Sequence, residues 1–126
     1  MSGAPRILIV EDSTMVRITV KRTLAAVDFL VDEAKDGQIG LDMALASMDR
    51  PYDLILTDLN MPNLDGLSMI KRLRETAAYA ETPIVMLTTE SGEEKKAVGH
   101  GSGVSSWLVK PFEPDALIET VGSMLF

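Results

Sequence analysis

The stretch Leu54-Ile55-Leu56-Thr57-Asp58 decides the fold, because an uninterrupted apolar run ends there in a carboxylate. Other apolar runs of the chain also end in polar side chains: residues 7–10 before Glu11 and Asp12, residues 84–87 before Thr88, and residues 107–109 before Lys110. Short continuous apolar runs are typical of parallel strands that are buried on both faces. If these runs are neighbouring parallel strands, their polar ends converge at one edge of the sheet, where open α/β sheets bind ligands. Acids crowded in this way require a cation or a transferred group to offset their repulsion.

Length and composition set modest limits. The chain has 126 residues, of which 46% are hydrophobic and 25% charged, so we expect one soluble globular domain. A net charge of −7 without a long basic run argues against a nucleic-acid-binding surface. The absence of cysteine excludes disulfides and thiolate metal sites. No apolar stretch approaches membrane-spanning length and no signal peptide is evident, so we expect a cytoplasmic monomer without a membrane partner.

Turn and cap residues divide the chain into five alternations of strand and helix. The strands are predicted at Arg6–Val10, Leu30–Ala34, Leu54–Asp58, Ile84–Thr88 and 105–109. The first helix is predicted from the cap Ser13 to about Ala26, and the second after Asp36-Gly37, with Leu41, Leu45 and Met48 as its apolar face. The third helix is predicted after Pro62-Asn63, the fourth from a capping box at residues 91–94, and the fifth from Pro114. This alternation predicts an α/β fold with a parallel sheet covered on both faces. The strongly apolar first, third and fourth strands fit central positions, which gives the order 2-1-3-4-5.

The fourth predicted helix is the weakest, because Gly99, Gly101 and Gly103 crowd its second half. Each interior glycine costs about 1 kcal/mol relative to alanine. Either the helix ends early or it continues as a marginal helix, and the pattern leaves both alternatives open.

Four segments together resemble the signature of bacterial response-regulator receiver domains: Glu11-Asp12-Ser13, and residues 57–62, 87–90 and 109–112. The resemblance extends over nearly the whole chain, and without an output domain the chain is similar to the stand-alone CheY-type proteins of chemotaxis. It implies a single receiver domain over residues 1–126 with a flavodoxin-like fold. The strand order 2-1-3-4-5 is the order that CheY itself has.

The resemblance implies a phosphorylation-activated switch rather than an enzyme, with Asp58 accepting a phosphoryl group from a histidine kinase of the CheA type. A carboxylate can accept such a group, and the transfer needs neutralisation of charge more than covalent assistance. Lys110 and Thr88 would contact the phosphoryl group. A Mg²⁺ ion would be held by Asp12, Asp58 and the backbone carbonyl of Asn60. Glu11 stands where many relatives have Asp, so it would reach the ion through water, although its longer side chain leaves a direct contact open.

The resemblance implies further roles for residues around the acceptor. Thr88 and Trp107 would form the output switch, Asn60 and Glu90 would set the lifetime of the phosphoryl group, and the Lys110-Pro111 bond would be cis. The output surface would comprise the fourth helix, the fifth strand and the fifth helix. The flagellar motor switch would be its target in chemotaxis.

Other functions agree less well with the residues. A phosphatase of the haloacid-dehalogenase type uses Asp-x-Asp with the second Asp as general acid, whereas Asn60 occupies that position here. A flavodoxin-type cofactor domain would need a phosphate-binding loop rich in Ser, Thr and Gly where Glu11 and Asp12 stand. A stand-alone receiver that drains or relays phosphoryl groups, and a constitutive interaction module, are alternatives that the sequence leaves open.

Overall fold

Strands and helices alternate along the computed structural model, which describes residues 3–89 and 103–126. The elements are β1 (Arg6–Val10), α1 (Thr14–Ala25), β2 (Leu30–Ala34), α2 (Gly37–Ala46), β3 (Leu54–Asp58), α3 (Gly66–Arg74), a short 3-10 helix (Ala77–Tyr79), β4 (Ile84–Thr88), β5 (Ser106–Val109) and a C-terminal helix (Pro114–Leu125). The predicted strands are confirmed, and β5 begins one residue later than predicted. The predicted capping box at 91–94, Glu90 and two of the three glycines of the fourth helix lie outside the described residues. Within those residues, no helix has the length and apolar character needed to cross a bilayer.

The five strands of the described residues form one parallel sheet in the order β2-β1-β3-β4-β5, which confirms the predicted flavodoxin-like topology. The register places Asp58 opposite Leu87 and Thr88 opposite Val109. Because parallel strands end at the same edge, the residues that follow β1, β3, β4 and β5 are gathered there.

Alternate residues of each strand pack on opposite faces of the sheet. One face is covered by α2 and α3, and its core includes Leu8, Val10, Ile55, Met69 and Ile70. The other face is covered by α1 and the C-terminal helix, and its core includes Ile7, Ile9, Leu24, Leu56 and Leu117. Both faces of β1, β3 and β4 are therefore buried, which explains why each of these strands contains a continuous apolar run.

The predicted apolar face of the second helix is wrong in part. Leu45 and Met48 are 38% and 48% exposed, and α2 ends at Ala46, before Met48. The buried stripe instead contains Gly40, Leu41 and Ala44. Small residues let α2 approach the sheet closely, so a pattern based on large apolar residues selected the wrong stripe.

Candidate functional site

The polar ends of the strands meet at the carboxyl edge of the sheet, as the sequence predicts. Lys110 follows β5, and its backbone N–H donates to the Thr88 carbonyl at 2.6 Å. The Lys110–Pro111 peptide bond is cis, as expected. From this anchored position the Lys110 side chain reaches Asp58 at the end of β3 and Glu11 at the end of β1.

Lys110 supplies the positive charge of the site. Its Nζ atom lies 2.6 Å from Glu11 Oε1 and 3.3 Å from Asp58 Oδ1. The side chains of Glu11, Asp58 and Lys110 are 1%, 14% and 16% exposed, so their charges interact with little screening by water. The other Glu11 oxygen accepts a hydrogen bond from the Ser13 backbone N–H at 2.8 Å. Glu11 is therefore held at both of its carboxylate oxygens.

Glu11, Asp12 and Asp58 form a cluster in which one carboxylate oxygen of each residue lies within 4.8 Å of the other two. Asp12 is exposed, and within the described residues its carboxylate accepts no hydrogen bond. Several carboxylate oxygens facing one another suit a hard divalent cation such as Mg²⁺, which prefers oxygen ligands. The donor set therefore fits the metal ion that the sequence predicts.

Burial perturbs the acids and the lysine in different ways. Desolvation raises the pKa of Glu11 and of Asp58 above their ordinary values of 4.5 and 3.8, and it outweighs the hydrogen bonds and charge of Lys110. Desolvation alone would lower the pKa of Lys110, but the hydrogen bond to Glu11 and the nearby Asp58 charge outweigh it, so that pKa is raised. Lys110 is therefore charged at neutral pH, and the ionised acids gain from any further cation.

The loop after β3 is held against the end of that strand. The Leu59 backbone N–H donates to Asp58 Oδ1 at 2.8 Å, and the Gly66 N–H donates to the Leu59 carbonyl at 2.8 Å. A Cβ atom on Gly66 would lie 2.2 Å from the Asp58 carbonyl oxygen, so glycine is required for α3 to begin this near the strand. Asn60, within this loop, is exposed.

Thr88 and Trp107 lie close to the site on the neighbouring strands. Thr88 is fully buried, and its hydroxyl has no hydrogen-bond partner within the described residues. Trp107 is half-buried, packs against the core on the α2 and α3 face, and lies opposite Met86 of β4. Because side chains alternate along a strand, Thr88 is on the same face of β4 as Met86 and therefore on the side of Trp107. Within the described residues, the hydrogen-bonding capacity of the Thr88 hydroxyl is therefore unused.

An apolar groove of about 350 Å³ borders the site on the side of α1. It is lined by Met15, Val16, Thr19, Thr89, Lys110, Pro111 and Phe112. Lys110 belongs both to this groove and to the charged cluster, so the groove opens directly beside the acids.

Sequence reasoning missed residues that position the site from other elements. Arg17 of α1 donates to the Glu11 carbonyl at 2.8 Å and to Glu33 at 3.0 Å. Asp36 accepts a hydrogen bond from Asn63 at 2.9 Å, which joins the loops that follow β2 and β3. For these contacts the sequence offers one signal, the Asp36-Gly37 turn, which marks Asp36 as a loop residue. It gives no sign of the partners, because contacts between residues so distant in the chain leave no local pattern.

Comparison with known families matches residues 7–122 to the response regulator receiver domain. The transcriptional regulatory protein DltR of Streptococcus agalactiae is 39% identical over 116 residues, which cover 92% of this chain and 50% of DltR. The chain thus spans about half the length of this curated relative.

Two solved structures have the same fold over almost their whole length. The chemotaxis response regulator CheY4 of Vibrio cholerae is 38% identical, with a TM-score of 0.89 and coverage of 97% of this chain and 99% of CheY4. The receiver domain of a sensor histidine kinase from Pseudomonas aeruginosa is 27% identical, with a TM-score of 0.84 and coverage of 98% of both chains. The structure of that receiver domain contains a magnesium ion coordinated in its active site cleft.

Proposed function

Because the chain belongs to the response regulator receiver domain family, we propose that it is a phosphorylation-activated switch of a two-component system. The observation that carries the proposal is the position of Asp58, which lies beside Glu11 and Asp12 and 3.3 Å from Lys110 Nζ. Asp58 accepts a phosphoryl group from a histidine kinase. The change in charge then alters the affinity of the protein for its target.

The proposed transfer uses the groups at the carboxyl edge. An Asp58 carboxylate oxygen forms a bond to phosphorus while the bond from phosphorus to the donor imidazole nitrogen breaks, and the electron pair of that bond stays on the nitrogen. Lys110 contacts a phosphoryl oxygen as a point charge. The Thr88 hydroxyl, which is buried without a partner in the described part of the chain, donates a hydrogen bond to another phosphoryl oxygen.

We further propose that Mg²⁺ is held by Asp12, Asp58 and the backbone carbonyl of Asn60, with Glu11 reaching it through water. The ion would neutralise charge on the phosphoryl group during transfer. Both Glu11 oxygens already accept hydrogen bonds from protein groups, which favours the indirect role for Glu11. The magnesium ion in the related Pseudomonas aeruginosa receiver domain supports the choice of metal.

The output of the switch is proposed to pass through Thr88 and Trp107. When the Thr88 hydroxyl turns toward the phosphoryl group, space opens beside it and Trp107 moves inward. Asn60 and Glu90 are proposed to control the access of water and hence the lifetime of the phosphoryl group. The target then binds the surface that includes β5 and the C-terminal helix.

Chemotaxis is the proposed setting, with a CheA-type kinase as donor and the flagellar motor switch as target, acting in the cytoplasm as a monomer. The likeness to CheY4 over 99% of that protein supports a single receiver domain over residues 1–126. The match to half of DltR favours a second candidate, a receiver whose output is transcriptional. A phosphoryl sink or relay would use the same site without a dedicated target. A haloacid-dehalogenase-type phosphatase is disfavoured, because Asn60 replaces the required second Asp.

Labelling with radioactive acetyl phosphate and Mg²⁺ tests the acceptor. We expect label on the wild type and on Asp49→Asn, but none on Asp58→Asn. Asp49 is an exposed acid between α2 and β3, so its variant removes a carboxylate without touching the site. Label that persists on Asp58→Asn would contradict the acceptor assignment, and label that is insensitive to EDTA would contradict the metal.

Target binding tests the setting. A peptide from a flagellar switch protein should bind the phosphorylated wild type more tightly than the unphosphorylated protein, and Asp58→Asn should show no such difference. Equal binding in both states would exclude the motor-switch output, and the transcriptional output and the sink or relay would then remain.

A further inference from the structure

Arg17 of α1 is a largely buried cation close to the acid cluster, with a side chain that is 13% exposed. Its guanidinium donates to the Glu11 carbonyl at 2.8 Å, to Glu33 Oε1 at 3.0 Å and to the Thr14 hydroxyl at 3.2 Å. Because a guanidinium is planar, the bonds to Glu33 and Thr14 fix the direction of the N–H group that points to Glu11.

The Glu11 carbonyl belongs to the planar peptide group that also contains the Asp12 N–H. The preceding peptide is held as well, because the Glu11 N–H donates to the Ala34 carbonyl at 3.0 Å. Arg17 therefore fixes the backbone that leads into Asp12. This matters most for Asp12, since the Glu11 carboxylate is held by Lys110, whereas no hydrogen bond from the described residues holds the Asp12 carboxylate.

We propose that Arg17 is a positioning residue for the metal site, which sets the direction of the Asp12 carboxylate through the Glu11–Asp12 peptide. The inference rests on the proposed function, in which Asp12 binds the metal directly. Groups that orient a ligand without touching the metal commonly contribute about 10- to 100-fold in metal affinity.

Arg17 affects the affinity for the metal in two opposite ways, through its charge and through the position that it gives to Asp12, and a measured change in affinity therefore distinguishes these two roles. Removal of the Arg17 charge would make the site more negative and would by itself strengthen the binding of a cation. Loss of the fixed peptide would weaken it. Lys21 is a matched control, because it lies on the same helix and its Nζ atom also pairs with Glu33, at 3.3 Å, whereas the hydrogen bond to Glu11 belongs to Arg17.

Electron paramagnetic resonance of free Mn²⁺ measures the affinity of the site in the wild type, Arg17→Ala, Arg17→Lys and Lys21→Ala, and competition gives the Kd for Mg²⁺. Circular dichroism in EDTA shows that each variant is folded. We expect Kd to rise about tenfold in Arg17→Ala and to change by about twofold or less in Lys21→Ala. Arg17→Lys keeps the charge without the planar group and should give an intermediate Kd.

An unchanged or lower Kd in Arg17→Ala, or equal changes in Arg17→Ala and Lys21→Ala, would overturn the positioning role. If Arg17→Ala does not fold, a wild-type Kd in Arg17→Lys has the same consequence. If the wild type binds neither Mn²⁺ nor Mg²⁺, the proposed metal site fails and the role of Arg17 fails with it. If the wild type binds both and is labelled on Asp58 while Arg17→Ala keeps full affinity, only the role of Arg17 fails.

Discussion

The two ends of the sheet both carry arginine or lysine beside acids, but they differ in how these charges are balanced. At the amino end, Arg6 pairs with Asp32 at 3.7 Å, and its guanidinium lies 4.6 Å from the centre of the Tyr52 ring. The Tyr52 hydroxyl donates to Asp32 at 2.8 Å, and Asp53 accepts the Arg6 backbone N–H at 2.8 Å. Asp32, which lies in the middle of β2, is 53% exposed, so water screens much of the charge of the acid that Arg6 reaches from this end.

At the carboxyl end, the acids Glu11, Asp12 and Asp58 lie together and Lys110 pairs with Glu11 and Asp58. Burial raises the pKa of Glu11 and of Asp58. At the amino end, burial and Asp32 raise the pKa of Tyr52 to about 12, which keeps that hydroxyl neutral. Charged residues at the end of a sheet therefore do not by themselves indicate a site. An excess of one sign of charge among desolvated residues does indicate a site, because a cation or a transferred group that binds there relieves the repulsion.

The largest difference between the two ends is expected from Lys110→Met and Arg6→Met. At pH 8, Lys110→Met leaves the buried carboxylate of Glu11 and the largely buried carboxylate of Asp58 without their cation, and breaking such a pair costs about 3 kcal/mol. Arg6→Met removes a pair whose acid is exposed and should cost about 1 kcal/mol. Urea denaturation in EDTA measures both losses, and Mg²⁺ should restore more stability to Lys110→Met than it adds to the wild type. Equal losses, or no extra gain from Mg²⁺, would remove the distinction between the ends.

A second comparison uses two glycines, of which only one lies beside the site. Gly66→Ala places a Cβ atom 2.2 Å from the Asp58 carbonyl oxygen, and overpacking of this kind costs about 2 kcal/mol. A Cβ atom on Gly122 of the C-terminal helix meets nothing within 4 Å, so Gly122→Ala should stabilise the protein by about 0.5 kcal/mol. Thermal denaturation measures both. A Gly66→Ala variant as stable as the wild type would show that the loop after β3 is not fixed in this position.

The raised pKa values of Glu11 and Asp58 determine how these two acids make the stability of the fold depend on pH. Because the pKa of Glu11 and of Asp58 is raised on folding, the folded protein binds more protons than the unfolded chain just above the ordinary values of 4.5 and 3.8. The stabilisation from these two groups is therefore complete below those values and is lost as the pH rises. Glu33 and Asp36 act in the opposite sense, because hydrogen bonds lower the pKa of each.

Glu11→Gln isolates this contribution. In EDTA, raising the pH from 4.5 to neutrality should destabilise the wild type relative to Glu11→Gln, as measured by urea denaturation at each pH. At neutral pH, Mg²⁺ should reduce the difference, since it stabilises the ionised acids. A wild type that gains stability relative to the variant over this range would contradict the assignment.

The sheet and the acid cluster could be predicted because each strand carries its own signal. An apolar run that ends in Asp58 or in Glu11 identifies both a buried strand and the edge at which its last side chain lies. The order of the strands brings these ends together, so the cluster required no long-range information beyond the topology.

The supporting contacts could not be predicted, because they depend on side chains that reach across elements. Nothing in the sequence of α1 indicates that Arg17 donates a hydrogen bond to the Glu11 carbonyl. In the same way, the sequence of the loop after β3 does not indicate that Asn63 reaches Asp36. The prediction of the buried face of α2 was wrong in part for a related reason. The helix approaches the sheet closely at Gly40, and this places the larger residues Leu45 and Met48 on the exposed side. The predictions for Glu90 and for the helix from residue 91 stay predictions, because those residues lie outside the described part of the chain.

The smallest expected change in stability separates two buried threonines at the carboxyl edge. Thr57 and Thr88 are both fully buried, but the Thr57 hydroxyl donates to the Asp58 carbonyl at 2.9 Å, whereas that of Thr88 has no partner within the described residues. Loss of a buried hydrogen bond makes Thr57→Val less stable by about 1 kcal/mol, while Thr88→Val should differ from the wild type by less than about 0.5 kcal/mol. Similar losses in both variants would mean that the Thr88 hydroxyl is already bonded in the unphosphorylated protein.

When the response to phosphorylation is measured instead of stability, Thr88→Val should have the larger effect and Thr57→Val the smaller. Trp107 is the only tryptophan, so its fluorescence reports on this region alone. Mg²⁺ followed by acetyl phosphate should change the emission of the wild type and of Thr57→Val in two steps. Thr88→Val should keep the first step and lose the second, even when Asp58 is labelled, because a methyl group cannot bond the phosphoryl oxygen. If the second step persists in labelled Thr88→Val, Trp107 responds to the phosphoryl group by a route that does not use this hydroxyl.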